Sequence, residues 1–156
     1  MKVAFTLNGC LAQAEGDPWR PLIDILREDF DLVAAKPGCG VGRCGACVVL
    51  VEGAPVNACL IPLARLEGTT IITAEAMDGV RAAQVIETLR RHHIAQCGYC
   101  MNGLLVSLLH ALDAEHEDPT NAIREAAVAH ICRCGGLLGL ERALPDLLEL
   151  AVREQT

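Results

Sequence analysis

Aromatic residues are almost missing from this chain. One Trp, one Tyr and two Phe make up 3% of its 156 residues. A core of stacked rings is excluded, so the apolar content of 52% has to be packed from Leu, Ile, Val and Ala. Basic residues are also scarce: 13 Lys and Arg stand against 20 Asp and Glu, for a net charge of −7. That balance excludes a nucleic-acid binder, which needs a basic face. No long hydrophobic run is present. The most apolar stretch, Gly103 to Leu112, is interrupted by Ser107 and His110 and is too short to span a bilayer. The apolar run at Met1–Gly9 is too short for a secretory signal. The expectation is a cytoplasmic protein that is not integral to a membrane, with export only inside a folded complex on a partner's signal.

Cysteine, by contrast, is abundant, at nine residues. In a reducing compartment, paired cysteines point to metal or redox chemistry before disulfides. Eight of the nine fall into two sets of four. Cys39, Cys44, Cys47 and Cys59 follow the spacing C-x4-C-x2-C…C. Cys97, Cys100, Cys132 and Cys134 form two close pairs separated by a helical stretch. The ninth, Cys10, reads as a small buried core residue.

The first half has the pattern of a small mixed sheet with one helix. Val3–Leu7 alternates like a strand, and Pro21–Asp29 has apolar positions Leu22, Ile25 and Leu26 on one helical face. A glycine-rich loop, Lys36–Cys47, follows. Val48–Val51 and Pro55–Cys59 flank Glu52-Gly53-Ala54 as a hairpin, and Thr69–Thr73 reads as a last strand. Beyond Thr73 the period becomes helical. Helices are expected over Asp78–His93, Leu104–Leu112, Ile123–Ile131 and Leu137–Val152. Asp118-Pro119-Thr120 is a start signal for the third of these, and Pro145 should kink or restart the last. Two domains are expected, residues 1–75 and 76–156, in an α+β fold.

Four ligands within the short span from Cys39 to Cys59 must wrap the chain around a small object. Glycines 38, 40, 42 and 45 permit the backbone that such a wrap needs. The spacing is that of a plant-type [2Fe–2S] site. A four-thiolate zinc site is the other reading, although structural zinc favours repeated C-x2-C pairs and only one occurs here. Cys97-Gly98-Tyr99-Cys100 alone could be a thioredoxin-like redox pair, but its surroundings are helical and Cys132-Arg133-Cys134 would stay unexplained. In a helical bundle, the two loops can meet at one end and supply four thiolates. His92 and His93 read as solvated helix positions and His130 as a hydrogen-bonding neighbour of Cys132. Arg133 is a candidate for balancing cluster charge, and the acidic run Asp113–Asp118 reads as a solvated loop.

Together the two sets closely resemble the small iron–sulfur subunit of the molybdenum hydroxylases, the family of xanthine dehydrogenase, aldehyde oxidoreductase and CO dehydrogenase. The resemblance runs through Leu7-Asn8-Gly9, Leu22–Arg27, Lys36–Cys47, Ala58-Cys59-Leu60-Ile61-Pro62, Gln96-Cys97-Gly98-Tyr99-Cys100 and Ile131-Cys132-Arg133-Cys134. It implies an N-terminal β-grasp ferredoxin-like domain holding one [2Fe–2S] cluster through Cys39, Cys44, Cys47 and Cys59. It also implies a C-terminal four-helix domain holding a second through Cys97, Cys100, Cys132 and Cys134. Gln96 and the backbone at Cys100 are the implied contacts to a molybdopterin cofactor on a large partner subunit. The implied acceptor is FAD on a medium subunit, or a cytochrome. The implied role is electron transfer with no substrate site in this chain, the substrate being an N-heteroaromatic or an aldehyde. A free-standing two-cluster carrier or redox sensor is the alternative, and the excess of apolar helical surface speaks against it. A zinc-stabilised interaction module is a further alternative. Relatives usually carry Cys-Thr-Pro-Gly where this chain has Cys100-Met101-Asn102-Gly103, and Asn102 is expected to cap the helix in place of that proline. They often carry Gly-Asn-Leu-Cys-Arg-Cys-Thr-Gly-Tyr where it has Ala129-His130-Ile131-Cys132-Arg133-Cys134-Gly135-Gly136-Leu137.

Overall fold

The computed structural model describes residues 1–113 and 116–152. Its first half is a five-stranded mixed sheet: β1 (Lys2–Leu7), β2 (Cys10–Glu15), β3 (Val48–Val51), β4 (Ala54–Asn57) and β5 (Thr70–Ile72). The strand order is β2-β1-β5-β3-β4, with β1 and β5 parallel and the other neighbours antiparallel. Along β1, Val3, Phe5 and Leu7 are buried and alternate with more exposed residues, the period of a strand with one covered face. The cover is α1 (Leu22–Glu28), whose Leu22, Ile25 and Leu26 are fully buried. Phe5 meets Phe30 edge to face, with centroids 6.0 Å apart.

β2 is absent from the sequence-based expectation. Its signal was the Asn8-Gly9 pair, both at positive φ (51° and 82°), as a two-residue hairpin turn requires. Cys10 opens β2 and is exposed, not a core residue. It lies on an edge strand at the end of a hairpin, where nothing packs over it. β4 is shorter than expected, and Cys59 sits on a 3-10 turn, Ala58–Leu60, that bends the chain back toward the cysteine loop.

The second half contains α2 (Val80–Arg91), α3 (Met101–Asp113), α4 (Pro119–Val128) and α5 (Leu140–Val152). Nearly all of α3 is buried, and it contributes Leu104, Leu105, Leu108, Leu109 and Leu112 to an aliphatic core shared with the other three helices. Each fully buried Leu contributes roughly 1.5–3 kcal/mol of transfer free energy, so α3 is the post around which the bundle packs. Asp118 caps α4 by accepting from the Asn121 N–H at 3.0 Å, with Pro119 in the first turn. The rest of the acidic run includes residues 114 and 115, outside the described residues.

Three local expectations are corrected. α5 runs unbroken through Pro145, so the helix does not restart there. α4 ends at Val128, so His130 belongs to the loop that follows. His92 and His93 lie past the end of α2, and His92 Nε2 pairs with Asp146 Oδ2 at 2.9 Å, which leaves its side chain largely shielded.

Separate aliphatic cores lie under the sheet and inside the helical half. The halves touch through α3, which packs on β3 and β4. At one point the approach is backbone on backbone. A Cβ at Gly103 would fall 2.1 Å from the Gly45 carbonyl oxygen, so glycine is required there.

Candidate functional site

The loop from Lys36 to Cys47 is tied at its base by the Lys36 N–H donating to the Ala46 carbonyl at 3.0 Å. Within it, the N–H groups of Arg43 and Cys44 donate to Cys39 Sγ at 3.1 and 3.4 Å. With the Val41 N–H, they pull the Cys39 thiol down to about 6, because each favours the thiolate. Cys47 is buried, and desolvation pushes it up to about 12. Asn57, at the end of β4, lies 3.8 Å from Cys47 Sγ and donates through Nδ2 to the Gly42 carbonyl at 3.2 Å. One amide thus locks the loop onto the hairpin. Gly38 leaves the space that Cys44 occupies, since a Cβ there would lie 2.6 Å from its Sγ.

The second set lies where the α2–α3 and α4–α5 loops meet. Cys97 and Cys134 are exposed, Cys132 is half-buried and Cys100 is buried. Burial raises the Cys100 thiol to about 11. The Tyr99 N–H lowers Cys97. α3 begins one residue after Cys100 and turns its N-terminal dipole toward this loop. After Cys134 come Gly135 in a left-handed conformation and a 3-10 turn over Gly136–Gly139, so α5 starts at Leu140 and not at the expected Leu137.

All nine cysteines are free thiols. Eight of them interact in pairs: Cys39 with Cys44, Cys47 with Cys59, Cys97 with Cys134 and Cys100 with Cys132. Among the described residues, no three His, Cys, Asp or Glu side chains close on the position of a single ion. A structural zinc site asks for four donors around one point. Two pairs side by side suit a diiron unit, with two thiolates on each iron, and the donor chemistry is that of [2Fe–2S] sites. The residues present fit that group.

The second set and one thiol of the first border a cavity of about 360 Å³, lined by Cys44 and Ala46 on one side and by Cys97, Cys100, Cys132 and Cys134 on the other. His130 packs beside it. Its ring is buried, and Nδ1 donates to the Ala126 carbonyl at 2.9 Å, which assigns the proton to Nδ1 because a carbonyl only accepts. Nε2 completes no hydrogen bond, although the Gly45 and Gly103 carbonyls lie near the ring. Burial lowers its basicity, so His130 acts as a neutral wedge between the halves. Arg133 lines the cavity and is exposed; Gln96 is also exposed, and its Nε2 donates to the His93 carbonyl at 2.7 Å. Asn102 does not cap α3. It is the helix's second residue, and its side chain donates to the Ala34 carbonyl at 3.1 Å.

A ferredoxin-like sheet domain joined to a helical domain with clustered thiols defines an iron–sulfur electron-transfer protein. Residues 73–144 match the family model of the [2Fe-2S] binding domain. The chain is 35% identical to the nicotinate dehydrogenase small FeS subunit of Eubacterium barkeri, over 94% of each chain. It is 34% identical to the nicotine 6-hydroxylase small subunit of Paenarthrobacter nicotinovorans, over 94% of this chain and 88% of that one. Among solved structures, quinoline 2-oxidoreductase from Pseudomonas putida 86 superposes with a TM-score of 0.83 and 33% identity, covering 100% of this chain and 98% of that one. Aldehyde oxidoreductase from Desulfovibrio desulfuricans gives 0.79 and 30%, with 99% of this chain matching 17% of a much longer one. The chain belongs to the family of small iron–sulfur subunits of the molybdenum hydroxylases, and its role is that of the electron-transfer subunit of an oxidoreductase complex. No helix among the described residues is long and apolar enough to cross a membrane.

Proposed function

We propose that this chain carries electrons singly through two [2Fe–2S] clusters, one in residues 1–75 on Cys39, Cys44, Cys47 and Cys59, the other in residues 76–156 on Cys97, Cys100, Cys132 and Cys134. When bound, the clusters supply one-electron redox chemistry between a large subunit's molybdopterin centre and FAD on a medium subunit, or a cytochrome. The chain's own part is to hold, space and tune. Backbone N–H groups directed at Cys39 stabilise negative charge on sulfur. Burial of Cys47 and Cys100 keeps one thiol of each set out of water. Gln96 and the main chain at Cys100 are the pterin contacts on this reading. The exposed position of Gln96 next to Cys97 supports it.

The observation that carries the proposal is one cavity lined by all four thiols of the second set and by Cys44 of the first. The relatives that act on nicotinate, nicotine and quinoline favour an N-heteroaromatic substrate for the complex over an aldehyde. The site of action is the cytoplasm. Low-temperature EPR of the dithionite-reduced protein, with iron and sulfide counts, is the test. Two distinct S = 1/2 signals with about four iron atoms per chain are expected for a pair of diiron sites. A single signal, or zinc in place of iron, would overturn the reading.

A further inference from the structure

The segment Val33–Pro37, which leads into Cys39, has no regular secondary structure, yet four of its carbonyls are taken by side chains. Arg27, in the last turn of α1, donates to the carbonyls of Val33 and Ala35 at 3.1 and 3.0 Å. Asn102 donates to that of Ala34 at 3.1 Å, and the Tyr99 hydroxyl donates to that of Pro37. The Ala34 N–H in turn donates to Glu75 Oε1 at 2.7 Å. An irregular segment with this many partners behaves as a strap, not as a loose loop.

The partners divide by origin. Arg27 and the Lys36–Ala46 bond belong to the sheet half and shape the strap locally. Tyr99 and Asn102 come from the other half, and both flank Cys100: Tyr99 one residue before it and Asn102 two after. Neither side chain is a thiol donor or a helix cap. What both do is reach across and grip the strap within five residues of Cys39.

We propose that Tyr99 and Asn102 are positioning residues for electron transfer between the clusters. Acting through the Val33–Pro37 strap, they set the separation and orientation of the first cysteine loop against the second. This rests on the two-cluster reading. Removing the two donors leaves Arg27, Lys36 and all eight thiols untouched, so each cluster keeps its own ligands while the register between them loosens. Asn102→Ala places a better helix former in α3, and Tyr99→Phe keeps the ring, so neither substitution removes a fold determinant.

The test is EPR of the fully reduced complex, read as the magnetic interaction between the two clusters, for wild type, Tyr99→Phe, Asn102→Ala and the double variant. Expected in the double variant are wild-type iron content, unchanged g values for each cluster taken singly, and a weakened interaction. The intercluster transfer rate should fall below that of wild type. Each single variant should show a smaller change in the same direction. An interaction and rate equal to wild type would overturn the proposal, as would iron loss or altered g values at one cluster, which would make these residues holders of that cluster. A wild-type protein without two iron clusters would overturn the parent reading and this one together, by metal count alone.

Discussion

The N–H of Ile131 donates to the carbonyl of Cys44 at 3.0 Å. Ile131 directly precedes Cys132 and Cys44 lies in the first set, so a route from one Sγ to the other runs along main chain and crosses a single hydrogen bond. The contact is possible because Gly45 and Gly103 let the two backbones approach, and because His130 fills the remaining space.

Gly103→Ala tests that approach. In a helix interior, alanine should gain about 1 kcal/mol over glycine. Here the new Cβ would fall 2.1 Å from the Gly45 oxygen, a backbone atom that cannot swing aside. Overpacking of this kind costs about 1–3 kcal/mol and wins over propensity. Thermal unfolding should show a lower Tm, and the inter-half bond at Ile131 should exchange its amide proton faster. A raised Tm would refute the argument.

Iron-stripped protein should show a steep ranking of thiol reactivity. Cys39, drawn down to about 6 by the N–H groups around it, is mostly thiolate at neutral pH. Cys47 and Cys100, raised by burial to about 12 and about 11, are thiols until strongly alkaline conditions. The sign follows: labelling of Cys39 by iodoacetamide should rise as pH increases through about 6 and then level off. Labelling of Cys47 and Cys100 should stay low throughout the neutral range. Site-resolved mass spectrometry across pH reads this directly, and equal rates at the three sites would contradict it.

The ninth cysteine separates ligand from bystander. Cys10 is exposed on β2, at the opposite edge of the sheet from β4 and Cys59. Cys10→Ser should leave iron content and both EPR signals intact. Cys59→Ser should cost the iron of the first cluster and spare the signal of the second. Loss of both signals on either substitution would show that the thiol sets are not independent.

Asp118→Ala removes the side-chain cap of α4. A lost cap costs about 1 kcal/mol, which should lower Tm by a few degrees in a chain of this size. The cysteine loop after α4 is held separately by Ile131 and His130, so the EPR signals should not change. Altered g values for the second cluster would mean that the loop depends on the helix start.

Much of this protein was legible from its residues in order. The thiol sets, the glycine loop, the switch from strand to helix near residue 75, and the starts at Pro21 and Asp118 all depend on neighbours in sequence. β2 was legible too, through Asn8-Gly9, but its short polar alternation hid it. Cys10 was misread because burial depends on where a strand sits in a sheet, and strand order is not local.

Sequence spacing alone determined which eight sulfurs could serve as ligands, because a loop that wraps a small object constrains residues a few positions apart. Tertiary structure alone decided which thiols pair, which are dry, and how the two loops face each other. Those outcomes turn on contacts such as Asn102 with Ala34, 68 residues apart, and only the packing of α3 against the sheet brings such residues within hydrogen-bond reach.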